Sequence, residues 1–230
     1  MLKKKSLVPL ALSALSLLLF FCLIVLLGCV DVRAIGPLDS SVGLASLNGA
    51  VRDLIGVSPL WYDISEVSGL ISLAVAAGFA CLGLYRLIRT RSLKRVGSDI
   101  YLLGGLYVVV MAAYVFFELF VINSRPVLQE NSALEASFPS SHTVLALTVL
   151  LSAADWFFRS LKQCYLRYAS AIGCCFLALL TVVGRFLSGV HWFTDILGGV
   201  LLSASLLLLY FALSRQFDKN SDFAEVSSDV

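Results

Sequence analysis

The sequence predicts an all-α, polytopic membrane protein with six transmembrane helices. Of its 230 residues, 59% are hydrophobic and only 14% are charged, and the mean hydropathy of +0.92 is too high for a soluble globular domain. The apolar residues also fall into runs of roughly 20, the length that crosses the hydrocarbon core of a bilayer as a helix. The net charge of +2 is too small to indicate a nucleic-acid-binding protein.

The apolar runs form a single predicted membrane domain over residues 1–230. They are predicted at residues 6–30, 67–88, 100–122, 140–158, 168–188 and 193–213. The first run ends in Leu26-Leu27-Gly28-Cys29, which imitates a lipoprotein cleavage site, but the run is longer than the roughly 7–15 residues of a signal-peptide core. We therefore interpret it as the first transmembrane helix.

Residues 31–66 form the longest polar interval, for which we predict an extracytoplasmic loop. Its apolar residues recur at helical spacing: Leu44, Leu47, Val51, Leu54 and Ile55. This spacing predicts a short amphipathic helix at the membrane surface. The segment is either a lid over a lipid site or a connector. At the other end of the chain, residues 215–230 are predicted to be a short cytoplasmic tail without stable structure.

Lysine and arginine are distributed unevenly between the two sides of this six-span arrangement. The side that carries both termini holds 13 of the 17 basic residues. The other side holds Arg33, Arg52, Arg125 and Arg185. Because cytoplasmic loops are enriched in lysine and arginine, both termini are predicted to be cytoplasmic. The short loops and the lack of a targeting signal favour a multi-pass protein of a bacterial plasma membrane.

Three polar clusters lie at the predicted outer ends of the spans. One cluster ends the third span at Asn123-Ser124-Arg125-Pro126, and another opens the fourth at Pro139-Ser140-Ser141-His142. The last runs from Arg185 to Asp195, between the fifth and sixth spans. Ionisable residues at membrane depth are candidates for a functional site. The sequence therefore predicts one site at the extracytoplasmic face.

The residue types in these clusters indicate a site for an anion. His191 and Asp195 are four residues apart, so on a helix the carboxylate can accept a hydrogen bond from one imidazole nitrogen and leave the other free to attack. Arginine binds phosphate oxygens through its planar fork, and the helix N-terminus at Ser140 and Ser141 is itself an anion site. The substrate would keep an apolar body in the bilayer. The alternative is that His191 is a structural polar residue near a helix start.

These motifs resemble a known family. Arg125-Pro126, Pro139-Ser140-Ser141-His142 and Arg185-x5-His191-x3-Asp195 are similar to the three signature motifs of the type 2 phosphatidic acid phosphatase family. These are membrane lipid phosphate phosphatases related to vanadium haloperoxidases. The resemblance covers essentially residues 67–213 and implies six transmembrane helices with the active site at the extracytoplasmic face.

The chain departs from the family pattern at three positions. Ser141 stands where the family usually has glycine, and Gly184 stands where the third motif usually opens with serine. Glu118 stands where the first motif usually begins with lysine. We hypothesise that Glu118 orients Arg125 or Arg185 and touches no substrate. The alternative is a protonated acid that faces other helices.

The resemblance implies a role for each matched residue. His191 attacks phosphorus and becomes a phosphohistidine, Asp195 orients it, and His142 protonates the leaving oxygen and later activates water. The residues implied in phosphate binding are Arg125, Ser140, Ser141 and Arg185, with Ser141 contributing through a nearby backbone N–H.

The predicted function is metal-independent hydrolysis of a lipid phosphate or diphosphate, with no cofactor. Undecaprenyl diphosphate is the favoured substrate, and phosphatidylglycerol phosphate and phosphatidate also fit. Two alternatives stay open: a lipid phosphotransferase, and a non-catalytic membrane protein that kept the fold. The expected partners are the lipid substrate and the bilayer. The six cysteines show no ligand-like spacing with histidine, so neither disulfides nor a zinc site is predicted.

Overall fold

The computed structural model describes residues 4–128 and 133–228. Seven α-helices run through this part of the chain: α1 (Lys4–Cys29), α2 (Ala45–Ile55), α3 (Pro59–Thr90), α4 (Ser98–Leu119), α5 (Ser141–Ser160), α6 (Cys164–Ser188) and α7 (Phe193–Ser228). Two short antiparallel strands, β1 (Arg33–Ala34) and β2 (Ser41–Val42), follow α1. Short 3₁₀ turns lie at Pro37–Asp39 and Leu93–Arg95.

Six helices among the described residues are long and apolar enough to cross a membrane. They are Leu7–Cys29, Pro59–Thr90, Ser98–Leu119, Ser141–Ser160, Cys164–Ser188 and Phe193–Gln216. The prediction of an all-α membrane protein with six spans is confirmed.

Most boundaries lie within about four residues of those predicted, and two differ by more. Helix α3 begins at Pro59 and not at residue 67, because proline fits the first turn of a helix and because the charge of Glu66 is paired with Arg185 inside the protein. Helix α7 continues to Ser228, so the prediction of a tail without structure after Arg215 is wrong where the chain is described.

Helices α5 and α7 form the centre of the bundle. Half of each apolar window is buried, against 22–28% in the other spans. Helix α5 packs on α6, α7 and α3, and α1 packs along α7. The large apolar side chains that remain exposed on α1, α3 and α4 suit contact with lipid tails.

The segment between α1 and α3 is fixed to the start of α7. Asn48 on α2 is fully buried, and its amide donates to the carbonyl of Gly43 at 2.9 Å and to Oγ1 of Thr194 at 3.0 Å. Its Oδ1 accepts the Thr194 N–H at 3.2 Å. The amphipathic helix expected inside residues 31–66 is thus α2, and it is docked on the bundle.

The polar clusters meet at one end of the bundle. The N-termini of α3, α5 and α7 and the C-termini of α4 and α6 lie there, while the loops rich in lysine and arginine lie at the opposite end. The side of the membrane that this end faces stays a prediction from the basic residues.

Candidate active site

His191 lies in the short link between α6 and α7. Helix α6 ends at Ser188, Gly189 adopts a left-handed conformation with φ of 70°, and α7 begins at Phe193. The imidazole is buried, and its Nδ1 lies 3.1 Å from Oγ of Ser137. Its Nε2 has no hydrogen-bond partner among the described residues. One nitrogen is therefore held and the other is free.

Asp195 is connected to His191 through Ser137. Its Oδ2 lies 3.7 Å from Nδ1 of His191, which is beyond hydrogen-bond distance. The hydroxyl of Ser137 donates to that same Oδ2, and Trp192 donates its backbone N–H to it at 2.8 Å. With a proton on Nδ1, His191 donates to Ser137, Ser137 donates to Asp195, and the Nε2 lone pair stays available.

Burial favours the neutral form of His191. Removal from water disfavours the charged imidazolium and lowers the pKa of His191 below its usual value of 6.5. The Asp195 carboxylate opposes this shift, and the positive charges of Arg125 and Arg185 add to it. A neutral imidazole with a free nitrogen is the form that acts as a nucleophile.

His142 lies in the first turn of α5, beside the N-terminal part of α3. Its Nε2 lies 3.5 Å from Oε2 of Glu66, and its side chain is 26% exposed. Its Nδ1 is buried and has no hydrogen-bond partner among the described residues. A protonated His142 would therefore direct one N–H to Glu66 and keep one free.

Two arginines, Arg125 and Arg185, lie near His191. The side chain of Arg185 is fully buried. Its Nη2 donates to Oε1 of Glu66, and its Cζ lies 5.3 Å from the ring centroid of Tyr62. Within the described chain its Nε and Nη1 have no partner. Nε of Arg125 lies 3.3 Å from Oε2 of Glu135. The two groups form an ion pair, but their geometry is not that of a hydrogen bond.

Trp192 holds the Arg125 segment beside His191. Its indole Nε1 donates to the carbonyl of Ser124 at 2.8 Å. The residue before Arg125 is thereby tied to the residue after His191. Arg52 also packs on the indole through a cation-π contact, with its Cζ 5.6 Å from the Trp192 ring centroid.

The two serines of the second cluster differ in position. Ser140 is buried; its N–H donates to the carbonyl of Asp195 at 3.0 Å, and its Oγ accepts the hydroxyl of Thr143 at 3.1 Å. Ser141 begins α5 and lines the cavity described next. The free N–H groups of the first turn of α5 start at Ser141, and such groups bind anions.

A cavity of about 330 Å³ joins this polar site to the apolar part of the bundle. At one end it is lined by Arg125, Ser141, His142 and His191. It continues between apolar side chains that include Leu73, Val110, Phe117, Val144, Leu145 and Leu202. Met111 and Tyr114 on α4 also line it and are 50% and 45% exposed, so the cavity reaches the outer surface of the bundle.

Comparison with known proteins identifies the region that carries the motifs. The sequence model described as PAP2 superfamily matches residues 122–219, a range that contains all three polar clusters. The matched range is called the PAP2 region below. The resemblance to the type 2 phosphatidic acid phosphatase family is therefore confirmed.

The fold agrees with that of a solved PAP2 structure. The chain is similar to the crystal structure of the first transmembrane PAP2 type phosphatidylglycerolphosphate phosphatase from Bacillus subtilis, with a TM-score of 0.62 and 18% sequence identity. The superposition covers 89% of this chain and 96% of that chain. No curated protein matches the sequence of the chain. At this identity the structural likeness establishes the fold.

Glu118, which precedes the PAP2 range, does not have the predicted role. It is exposed and lines the cavity. The acids that contact the two site arginines are Glu66 on Arg185 and Glu135 on Arg125, and no ion pair of Glu118 with either is present in the described chain. The hypothesis that Glu118 orients an arginine is wrong, because the loop after α4 brings Glu135 to Arg125 and α3 brings Glu66 to Arg185.

Two residues of the site, Ser137 and Glu66, are not predicted from the sequence. Ser137 stands three residues before Ser140 in the PAP2 region. A hydroxyl so close to a motif is the sequence feature that could have indicated Ser137 as a site residue. Glu66 lies outside that region, in the interval for which the sequence predicts a polar loop. Its partners His142 and Arg185 lie 76 and 119 positions further along the chain. A local sequence pattern cannot predict contacts between residues so far apart.

Proposed function

We propose that the protein is a lipid phosphate or diphosphate phosphatase that works through a phosphohistidine on His191. The observation that carries this proposal is the partnerless Nε2 of His191 at the polar end of a cavity that continues between apolar side chains. The PAP2 superfamily range supports the reaction class.

In the first step Nε2 of His191 attacks phosphorus. A P–N bond forms as the bond between phosphorus and the lipid oxygen breaks, and His142 gives a proton to that oxygen. The Nδ1 proton of His191 stays in its hydrogen bond to Ser137 and Asp195. Arg125, Arg185 and the first turn of α5 stabilise the negative charge on the phosphoryl oxygens, which needs no metal ion.

In the second step water attacks the phosphohistidine. His142, now neutral, takes a proton from the water, and the P–N bond breaks to return His191. The products are inorganic phosphate and a lipid alcohol, or a lipid monophosphate if the substrate is a diphosphate. Asp195 stabilises the positive charge that His191 carries while phosphorylated.

The proposed substrate keeps its apolar chains in the cavity and its phosphate at the histidines. Undecaprenyl diphosphate at the outer face of a bacterial plasma membrane is the substrate we favour. Phosphatidylglycerol phosphate is the second candidate, because the similar structure from Bacillus subtilis is described as a phosphatidylglycerolphosphate phosphatase.

A substrate panel with purified protein in detergent tests the proposal. We expect release of inorganic phosphate from at least one of undecaprenyl diphosphate, phosphatidylglycerol phosphate and phosphatidate, and no release by the His191→Ala variant. Transfer of labelled phosphate to a second lipid in place of water would identify a phosphotransferase. Activity in neither assay would leave a binding protein with this fold.

A further inference from the structure

Glu66 connects two site residues that stand on different helices. On α3, its Oε1 accepts a hydrogen bond from Nη2 of Arg185 on α6, and its Oε2 lies 3.5 Å from Nε2 of His142 on α5. The Glu66 side chain is 35% exposed and that of Arg185 is 0% exposed. Because an unpaired buried charge is costly, Glu66 compensates the guanidinium and fixes one edge of its plane.

Two glycines bring α3 close enough for these contacts. A Cβ atom on Gly69 would lie 2.5 Å from Cδ2 of His142, so the imidazole rests on the α3 backbone one helical turn after Glu66. A Cβ atom on Gly184 would lie 3.0 Å from Cβ of Ser65, so α6 approaches α3 directly beside Arg185. Helices α3, α5 and α6 therefore meet around Glu66.

The atoms that Glu66 leaves free are those that a phosphate ester would need. Nε and Nη1 of Arg185 are buried without a partner among the described residues, and so is Nδ1 of His142. With Nε2 of His142 turned to Glu66, Nδ1 is the nitrogen left to serve the leaving oxygen. With Nη2 of Arg185 used by Glu66, the N–H groups of Nε and Nη1 are left for phosphoryl oxygens.

We propose that Glu66 is a positioning residue for phosphoryl transfer: one carboxylate oxygen holds His142 with Nδ1–H directed to the leaving oxygen, and the other holds Arg185 with an N–H of Nε or Nη1 directed to the phosphate. This inference rests on the proposed function. Glu66 itself exchanges no proton; its negative charge stabilises the positive charge that His142 carries as the acid.

The test uses two variants that separate the two oxygens. Glu66→Gln keeps an acceptor for Arg185 but removes the charge beside His142, whereas Glu66→Ala removes both. Single-turnover release of the leaving group is measured with a long-chain alkyl phosphate, which needs a general acid, and with a nitrophenyl phosphate, which does not. Asp63→Asn is the matched control, because Asp63 is an exposed acid one turn earlier on α3.

We expect Glu66→Gln to slow release from the alkyl phosphate by at least about tenfold and from the nitrophenyl phosphate by no more than about threefold, since a general acid contributes roughly 10²–10⁴-fold. Glu66→Ala should also weaken binding of inorganic phosphate by at least about tenfold, the scale of one charged hydrogen bond. Asp63→Asn should match the wild type in both measurements.

Equal slowing of both substrates by Glu66→Gln, or no slowing, would overturn the inference, because a merely structural role does not depend on the leaving group. If Glu66→Ala does not fold, the leaving-group comparison with Glu66→Gln still decides. A wild type that hydrolyses none of the substrates would refute the proposed function. The role of Glu66 would then be decided by phosphate binding alone. Equal phosphate affinities of the wild type and the Glu66→Ala variant would overturn the inference.

Discussion

Replacing Ser137 by alanine should separate His191 from its carboxylate without disturbing the rest of the site. The Ser137 side chain is buried, and its hydroxyl is the group that bridges Nδ1 of His191 and Oδ2 of Asp195. The backbone N–H of Ser137 donates to the carbonyl of Asn123 at 2.9 Å, a bond that alanine keeps. The loop should therefore stay in place.

The expected loss follows from the distances. Without the hydroxyl, Nδ1 and Oδ2 are 3.7 Å apart, too far for a direct hydrogen bond. Loss of a hydrogen bond to a charged group costs about 1.5–3 kcal/mol, which corresponds to roughly 10–100-fold in rate. We expect this loss in kcat/KM and in the rate of phosphoenzyme formation, because both depend on the Nδ1 proton.

The assay compares Ser137→Ala with Ser72→Ala. Ser72 is also a buried serine, but its hydroxyl donates only to the carbonyl of Ser68 on its own helix, at 2.9 Å. Phosphoenzyme formation is followed by rapid quench with a labelled lipid phosphate, and Tm in detergent reports folding. A Ser137→Ala protein that keeps its Tm and forms phosphoenzyme within twofold of the Ser72→Ala rate would refute the bridging role.

Four further predictions concern the reaction. His191→Ala should form no acid-labile phosphoenzyme, whereas His142→Ala should still form it from an aryl phosphate; phosphoenzyme trapped in His191→Ala would place the nucleophile elsewhere. Because burial lowers the pKa of His191 below 6.5, His191 should stay neutral as the pH falls. The acid limb of the pH profile of kcat/KM, corrected for ionisation of the substrate phosphate, should therefore lie below pH 6.5. An acid limb at or above pH 6.5 would contradict this. Activity should survive EDTA, since the described residues contain no cluster of three or more metal-binding side chains; loss with EDTA and recovery with magnesium would count against the histidine mechanism. Glu118→Gln should change kcat/KM by no more than about threefold while Arg125→Ala lowers it at least about a hundredfold, the scale of a transition-state donor; comparable losses would place Glu118 in the catalytic set.

The spans and the convergence of the motifs could be predicted because both follow from local chemistry. Hydropathy locates segments that need a bilayer, and counting basic residues in alternate loops places three distant clusters at the same end. The start of α3 could not be located in this way. Glu66 and its charged neighbours resemble a solvated loop in the sequence. The contacts with Arg185 and His142 that compensate the charge of Glu66 come from distant helices.

The contact between His191 and Asp195 shows a different limit. A spacing of four residues predicts that the two side chains share a helical face. In the structure His191 precedes α7, and the Asp195 carboxylate accepts the backbone N–H of Trp192 at the N-terminus of that helix. The remaining gap is filled by Ser137, 54 residues before His191. Helical spacing describes neighbours on one element and does not identify a third residue that arrives from another loop.

The side opening of the cavity past Met111 and Tyr114 on α4 affects how the rate should depend on substrate. A lipid that reaches the histidines through this opening diffuses in the plane of the membrane and does not dissolve in water first. The encounter rate is then set by the mole fraction of substrate in the bilayer or micelle. Adding inert detergent at constant total substrate should therefore slow turnover by dilution at the surface, and a KM for this protein has meaning only as a surface concentration.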